Sequence, residues 1–107
     1  MLFDTIFSKR ENKTRRNYEI EDSLYTELEE YAKVYDASVT DLINACLSYL
    51  IETENIALYE KNKNELSVTH TLLIKESNLL GLEKLKEKYG VSIYKLVNIS
   101  IRNVLKA

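Results

Sequence analysis

The chain contains an internal repeat with a spacing of 54 positions, half of its 107 residues. The segment ASVTDLINACL at residues 37–47 returns as VSIYKLVNISI at residues 91–101. Three pairs are identical in the two segments, namely Ser38/Ser92, Leu42/Leu96 and Asn44/Asn98. The spacing and the apolar positions are the same in the two segments although most of the residues differ, so the repeat indicates a duplicated fold.

Each copy opens with six residues of alternating character, RRNYEI at 15–20 and THTLLI at 69–74. A period of two is typical of short β-strands. We expect one strand face to point toward the core, with the members Arg16, Tyr18, Ile20, His70, Leu72 and Ile74. The other face then points outward, with the members Arg15, Asn17, Glu19, Thr69, Thr71 and Leu73.

A first helix follows each strand, with apolar residues at the spacing of one helical face. In the first copy that face consists of Leu24, Leu28, Tyr31 and Tyr35, and Tyr89 is the second-copy counterpart of Tyr35. Side chains at the helix starts are expected to act as caps, from Asp22 or Ser23 in one copy and Ser77 or Asn78 in the other. Gly90 predicts a left-handed stop, and Asp36 occupies the equivalent position.

A second helix begins at Ser38 in the first copy and at Ser92 in the second, and both serines are predicted to cap it. The inward positions are Leu42, Ile43, Leu47, Leu50 and Ile51, matched by Leu96, Val97, Ile101, Val104 and Leu105. One such unit is too small to bury its own faces, and its lone strand lacks a pairing partner. We therefore expect a mainly α fold in which two strands form an antiparallel β-ribbon and four helices close one core.

The predicted organisation is one folded unit with four segments. These are a basic N-terminal arm at 1–14, the first repeat at 15–51, a connector at 52–68 and the second repeat at 69–107. The connector is expected to extend the preceding helix through Ile56, Leu58 and Tyr59 before it loosens at KNKNE.

Charge is distributed unevenly along the chain. Residues 9–18 carry five bases and one acid (+4), residues 19–60 one base and eleven acids (−10), and residues 61–107 nine bases and four acids (+5). With Asp4 these sum to the net charge of −2. This distribution is compatible with ordinary solvated helix faces or with a basic strip that faces a polyanion.

The composition excludes several classes of protein. There is no apolar run of membrane-spanning length and no signal-peptide pattern, so we expect a cytoplasmic protein without membrane contact. Two glycines provide no phosphate-binding loop, and one histidine with one cysteine cannot build a zinc site. Cys46 is expected to be a buried, inert thiol. No enzymatic activity, cofactor, metal or small-molecule ligand is predicted.

The order of strand, helix, tight turn and Ser-capped helix resembles the ribbon-helix-helix DNA-binding proteins, the class of the Arc and methionine repressors. The resemblance rests on YDASVTDLINACL, on YGVSIYKLVNISI and on the alternating strands before them. Members of that class pair two identical chains, whereas this sequence resembles both halves fused into one. The resemblance implies a pseudo-two-fold, tandem ribbon-helix-helix fold whose partner is double-stranded DNA.

The resemblance also implies which residues contact DNA. Bases would be contacted by the outward strand residues Arg15, Asn17, Glu19, Thr69, Thr71 and Leu73. Phosphates would be bound at the starts of the second helices and by flanking bases, namely Lys13, Arg16, Ser38, Val39, Thr40, Lys75, Ser92, Ile93 and Tyr94. Lys9 and Arg10 would add positive charge beside them.

Three functions are compatible with these residues. The first is a transcriptional repressor that occupies its operator, with possible self-association on DNA. The second is a plasmid or phage accessory protein that marks a centromere or a transfer origin. The third is a protein-interaction module with a degenerate ribbon, which Glu19 and the acidic first repeat favour.

Overall fold

The computed structural model describes residues 12–107, which form two strands and four helices. Their order is β1 (Lys13–Glu21), α1 (Asp22–Tyr35), α2 (Val39–Thr53), β2 (Ser67–Lys75), α3 (Glu76–Tyr89) and α4 (Ile93–Leu105). The bounds of β2 and α3 lie 54 residues after those of β1 and α1, and α4 begins 54 residues after α2. The predicted class, mainly α with a two-stranded ribbon, is confirmed at this level.

The two strands pair antiparallel from Lys13 opposite Lys75 to Glu21 opposite Ser67, so they are longer than the alternating pattern predicts. The central pair is Asn17 and Thr71, two residues that the repeat makes equivalent. The inward face is buried at four positions, Tyr18, Ile20, Leu72 and Ile74. Alternation therefore identified the buried face correctly over most of the ribbon.

Two residues of the inward face are less buried than the sequence predicts. Arg16 is exposed, because it borders an open cleft of about 540 Å³ between β1 and α3. His70 is half-buried and stacks on Tyr25 of α1, with the ring centroids 3.6 Å apart.

Both helical hairpins turn where the sequence predicts. Asp36 and Gly90 adopt left-handed conformations, with φ of 51° and 65°, and end α1 and α3. The Ser38 hydroxyl accepts a hydrogen bond from the Asp41 N–H at 3.0 Å, and Ser92 accepts one from Lys95 at 3.3 Å. The predicted serine caps of α2 and α4 are thus confirmed.

The predicted side-chain caps of α1 and α3 are wrong. Each strand runs directly into its helix, so Asp22 and Ser23 lie inside α1, and Ser77 and Asn78 lie inside α3. The start of α1 is instead bonded to residues before β2. The Asp22 N–H donates to the Leu66 carbonyl and the Ser23 N–H to the Glu65 carboxylate, both at 2.8 Å.

The core lies between the ribbon and the helices, where α2 and α4 pack against each other. Its most buried members are Ile20, Leu28, Ile43, Leu47, Leu50, Ile74, Leu82, Leu96, Val97, Ile99 and Ile101. Cys46 is buried as predicted, and burial raises the pKa of its thiol to about 11. Asn78 is also buried, and its amide donates to the side chain and the carbonyl of Asn44.

Several residues predicted to lie in the core are exposed. Tyr31, Tyr35 and Tyr89 are 44%, 67% and 42% exposed, and Val104 is 43% exposed. Three of them lie in the last turns of α1 and α3, where the helix extends beyond the buried layer. The helical period identifies the side of a helix that faces its neighbours, but it does not reveal how far along the helix those neighbours reach.

The connector is not helical beyond α2, contrary to the prediction. The helix ends at Thr53 because Glu54 is left-handed, with φ of 51°. The chain then crosses α4, where the Asn55 carbonyl accepts a hydrogen bond from the Asn103 side chain at 2.8 Å. Farther on, Tyr59 donates a hydrogen bond to Glu21 and lies under the Arg102 guanidinium, 4.1 Å from its ring centroid.

Asn44 and Asn98 attach the second helices to the ribbon. The Asn44 side chain of α2 accepts from the Lys75 N–H (3.0 Å) and donates to the Leu73 carbonyl (2.9 Å), both in β2. Asn98 of α4 makes the same two bonds to Glu21 and Glu19 of β1, at 2.9 and 3.0 Å. Each asparagine thus holds the strand of the other half of the chain.

Candidate nucleic-acid interface

The outward face of the ribbon carries the six residues predicted to contact bases. All six are exposed, and they pair across the ribbon as Arg15 with Leu73, Asn17 with Thr71, and Glu19 with Thr69. The face therefore presents one guanidinium, one amide, one carboxylate, two hydroxyls and one apolar side chain. These are the groups that read base edges by hydrogen bonds and by contact with a thymine methyl.

The central pair of this face is joined by a hydrogen bond. The Thr71 hydroxyl donates to the Asn17 side-chain oxygen at 2.8 Å. The amide NH₂ of Asn17 is still available to donate, and its oxygen has a second lone pair that can accept. The bond fixes the orientation of the amide, so that Asn17 presents its donors in a set direction.

The starts of α2 and α4 lie at opposite ends of the ribbon. The first turn of α2 is tied to the Leu73–Lys75 end because the Asn44 amide bonds both the Thr40 carbonyl and the Leu73 carbonyl. At the other end, the Tyr94 hydroxyl of α4 lies 3.0 Å from the Ser67 hydroxyl. Each end of the ribbon thus has a helix N-terminus beside it, where free N–H groups and the helix dipole favour an anion.

The predicted phosphate contacts are divided between these two ends. Ser38, Val39 and Thr40 lie with Lys13 and Lys75, which face each other in the strand register. Ser92, Ile93 and Tyr94 lie at the Glu21–Ser67 end. Arg16 is exposed, and its guanidinium donates to the Arg15 carbonyl at 3.1 Å. Lys9 and Arg10 lie outside the described residues.

Two lysines near the Ser67 end were missed by the sequence analysis. The Lys61 ammonium donates to the Ser67 hydroxyl at 3.0 Å, and Lys95 is exposed in the first turn of α4. A local signal existed for Lys95, which follows Ser92 by three residues, but none existed for Lys61 in the connector. The equivalent of Lys95 in α2 is Asp41, so the start of α4 carries a base where the start of α2 carries an acid.

Within residues 12–107, no three His, Cys, Asp or Glu side chains are grouped so that they could hold a metal ion. Over the same residues, no helix is both long and apolar enough to span a membrane.

Comparison with known proteins gives no relative. No family model, curated protein or solved structure matches this chain.

Proposed function

We propose that the protein binds double-stranded DNA at specific sequences by inserting its ribbon into the major groove. The observation that carries the proposal is the exposed two-stranded face of six polar, charged and apolar side chains, with a helix N-terminus at each end. The major groove is about 12 Å wide and admits a two-stranded ribbon. The helix starts and lysines at either end suit the phosphates that border that groove.

We also propose that the fold is a tandem ribbon-helix-helix unit whose halves are related by a pseudo-two-fold axis. Three observations support this. The bounds of the elements recur after 54 residues, the ribbon is centred on the equivalent pair Asn17 and Thr71, and Asn44 and Asn98 make equivalent bonds to opposite strands. A single-chain unit of this kind is a monomer in dilute solution, and light scattering at low micromolar concentration tests that mass.

The biological role proposed is that of a transcriptional repressor in the cytoplasm, which occupies its operator, excludes polymerase and needs no cofactor. Because the outward residues of β1 differ from those of β2, one bound chain recognises an asymmetric site. Arg15 suits guanine, Asn17 adenine, and Glu19 the amino group of cytosine. Neighbouring chains can associate on repeats of that site.

Selection of bound sequences from random DNA, followed by titration, tests the base contacts. Asn17→Ala or Thr71→Ala is expected to weaken specific binding by about 1–3 kcal/mol and to leave the melting temperature nearly unchanged. Thr26→Ala on α1, another exposed threonine, serves as the matched control and keeps full affinity. Equal affinity of all four proteins for the selected sequence would contradict base reading by the ribbon.

The salt dependence of binding tests the phosphate contacts. A ribbon with a helix N-terminus and lysines at each end is expected to neutralise about 4–8 phosphates. The logarithm of the binding constant should then fall with the logarithm of the salt concentration at a slope of roughly −4 to −7. Lys95→Ala is expected to make that slope shallower by about 0.9, which is the contribution of one phosphate contact. A slope near zero would show that nucleic acid is not the partner.

A protein-interaction module is the second candidate. Glu19 places a carboxylate on the outward face, and Leu73, 45% exposed, adds an apolar side chain. If the random-sequence selection yields no enriched DNA, this candidate replaces the first. The task on DNA, repression or the marking of a plasmid or phage origin, is decided by locating the selected sequence relative to promoters and origins.

A further inference from the structure

The open cleft of about 540 Å³ between β1 and α3 combines an apolar lining with a few polar groups. The apolar side chains are Leu79, Leu80 and Leu82 of α3 and Ile93 at the start of α4. Leu80 is 64% exposed. Sites for small molecules are typically concave and mostly apolar, have volumes in this range and carry a small number of polar groups.

The equivalent place in the other half of the molecule is occupied by an aromatic ring. At the spacing of the repeat, Arg16 corresponds to His70 and Leu79 corresponds to Tyr25. The Tyr25 ring lies on the His70 ring, with 3.6 Å between the centroids and 6° between the planes. Because Leu79 has no ring, it does not cover Arg16 in this way, and Arg16 is exposed. The cleft therefore lies where the other half holds a ring.

A tyrosine hydroxyl in the cleft has no hydrogen-bond partner in the described part of the chain. Tyr18 lines the cleft and is only 9% exposed, and its hydroxyl forms no hydrogen bond with any residue from 12 to 107. Burial raises the pKa of this hydroxyl, while the charge of Arg16 lowers it and that of Glu83 raises it. Buried polar groups normally have a partner. This hydroxyl is thus available to a ligand between those two charged side chains.

The charges that border the cleft favour a cation. Glu76 and Glu83 line it and are exposed, and neither carboxylate forms an ion pair within residues 12–107. Arg16 also lines the cleft, and its guanidinium already donates to the Arg15 carbonyl at 3.1 Å. Among the described lining residues, two carboxylates and one guanidinium give a net charge of −1. A planar guanidinium also stacks on aromatic rings, as the His70 ring does.

We propose that the cleft binds a small aromatic amine. The aromatic ring lies on the Arg16 guanidinium, in the place that the Tyr25 ring takes over His70. The ammonium group lies between the Glu83 carboxylate and the Tyr18 hydroxyl, which accepts a hydrogen bond from it. The inference rests on the cleft, on the buried hydroxyl and on the filled counterpart in the other half. It does not depend on DNA binding.

An NMR titration of the full chain with phenethylamine tests this site. Phenethylamine is expected to shift the amide signals of Tyr18, Leu79 and Glu83 in a saturable manner, while those of Tyr25 and His70 stay unchanged. Cyclohexylethylamine, which has a saturated ring, should bind about 2–5-fold more weakly because it cannot stack on the guanidinium. Phenylpropionate, which carries a carboxylate in place of the ammonium, should give no saturable shift.

Variants at the cleft test the position of the ligand. Leu79→Tyr gives this half the ring that the other half has at Tyr25, and it should abolish binding. Glu83→Gln and Tyr18→Phe each remove a group that holds the ammonium, and each should weaken binding by about 2–10-fold. Both are expected to fold, because Glu83 is exposed and Tyr18→Phe keeps the buried ring. Glu29→Gln, at the counterpart of Glu83, is the matched control and should keep full affinity.

Three results would overturn the proposal. One is the absence of a saturable shift with phenethylamine. Another is equal binding of either control ligand, because the site would then select neither the ring nor the charge. The third is full affinity in both Glu83→Gln and Tyr18→Phe, or in a folded Leu79→Tyr variant, because the ligand would then lie outside the cleft.

Discussion

Asn44 in α2 and Asn98 in α4 make the same bonds to the opposite strand, whereas the outward faces of these two helices differ. Ala45 and Tyr49 of α2 are exposed, while of their counterparts in α4 Ile99 is buried and Asn103 is half-buried and bonded to the connector at Asn55. The inner bonds are made to backbone N–H and carbonyl groups, which every strand presents whatever its sequence. The two halves therefore keep the same residue where a side chain bonds the backbone of the opposite strand. They differ at the outward positions of the helices, where packing depends on side chains alone.

The largest expected effect concerns the joining residues. Asn98→Ala leaves the Glu21 N–H and the Glu19 carbonyl without their partner in a buried site. Each unsatisfied group costs about 1–3 kcal/mol, so the free energy of unfolding should fall by about 2–6 kcal/mol. Urea titration measures it.

Asn103→Ala is the matched control, since this residue lies on the same helix and makes one exposed bond to the connector. Its loss should cost at most about 1 kcal/mol. If the two variants unfold at the same urea concentration, the distinction between joining and outward residues does not hold.

A neighbouring pair in β2 sharpens the comparison at the level of single residues. Leu72 is 3% exposed and Leu73 is 45% exposed. Leu72→Ala removes buried contacts and leaves a cavity, and should lower the free energy of unfolding by about 2–5 kcal/mol. Leu73→Ala should have a much smaller effect. A thermal melt in which Leu73→Ala is the less stable variant would show that the faces of the ribbon are reversed.

The two serine caps test whether the halves contribute equally. Ser38→Ala and Ser92→Ala each remove the hydroxyl that accepts from the first turn of a helix. Both should destabilise the protein by about 1 kcal/mol, and the double variant should show the sum. Thr26→Ala, at an exposed position within α1, provides the control for loss of a hydroxyl that does not cap a helix.

The smallest effect concerns an outward contact present in one half only. Glu54 accepts hydrogen bonds from Lys88 (2.7 Å) and Tyr89 (2.8 Å), and the bond with Lys88 is the main cause of its lowered pKa. A lowered folded-state pKa means that the stabilisation is present above the unfolded pKa and is lost as the pH falls through the folded value.

Glu54→Gln should therefore slightly lower stability at neutral pH, and the difference from the parent protein should vanish in acid. Melting curves across that pH range measure the difference, and Glu52→Gln, two residues earlier, is the control. A difference that grows toward acid pH would contradict the assignment.

Local patterns predicted most of the fold. The strand faces, the serine caps and the left-handed residues Asp36 and Gly90 each depend on a few consecutive positions, and the structure confirms them. The repeat predicted the pairing of the two strands because a lone strand in each half needs a partner. These features all follow from spacing along the chain.

Contacts between distant segments could not be read from the sequence. Asn98 is identical to Asn44, but its partners in β1 lie 77 and 79 residues away, so no local signal revealed its role. The cap that Glu65 provides to α1 comes from 42 residues away. Of the candidate site, the outward strand residues were predictable by alternation, whereas Lys61 became apparent only once the connector was seen beside Ser67.

Both strands of the ribbon belong to one chain and are joined through the residues between α2 and β2. A ribbon assembled from two separate chains falls apart on dilution, because its halves must meet by collision. A tether of this length keeps the strands at an effective concentration on the order of mM however few molecules are present. The unfolding midpoint should therefore be independent of protein concentration, and at a few copies per cell each molecule still carries a complete ribbon.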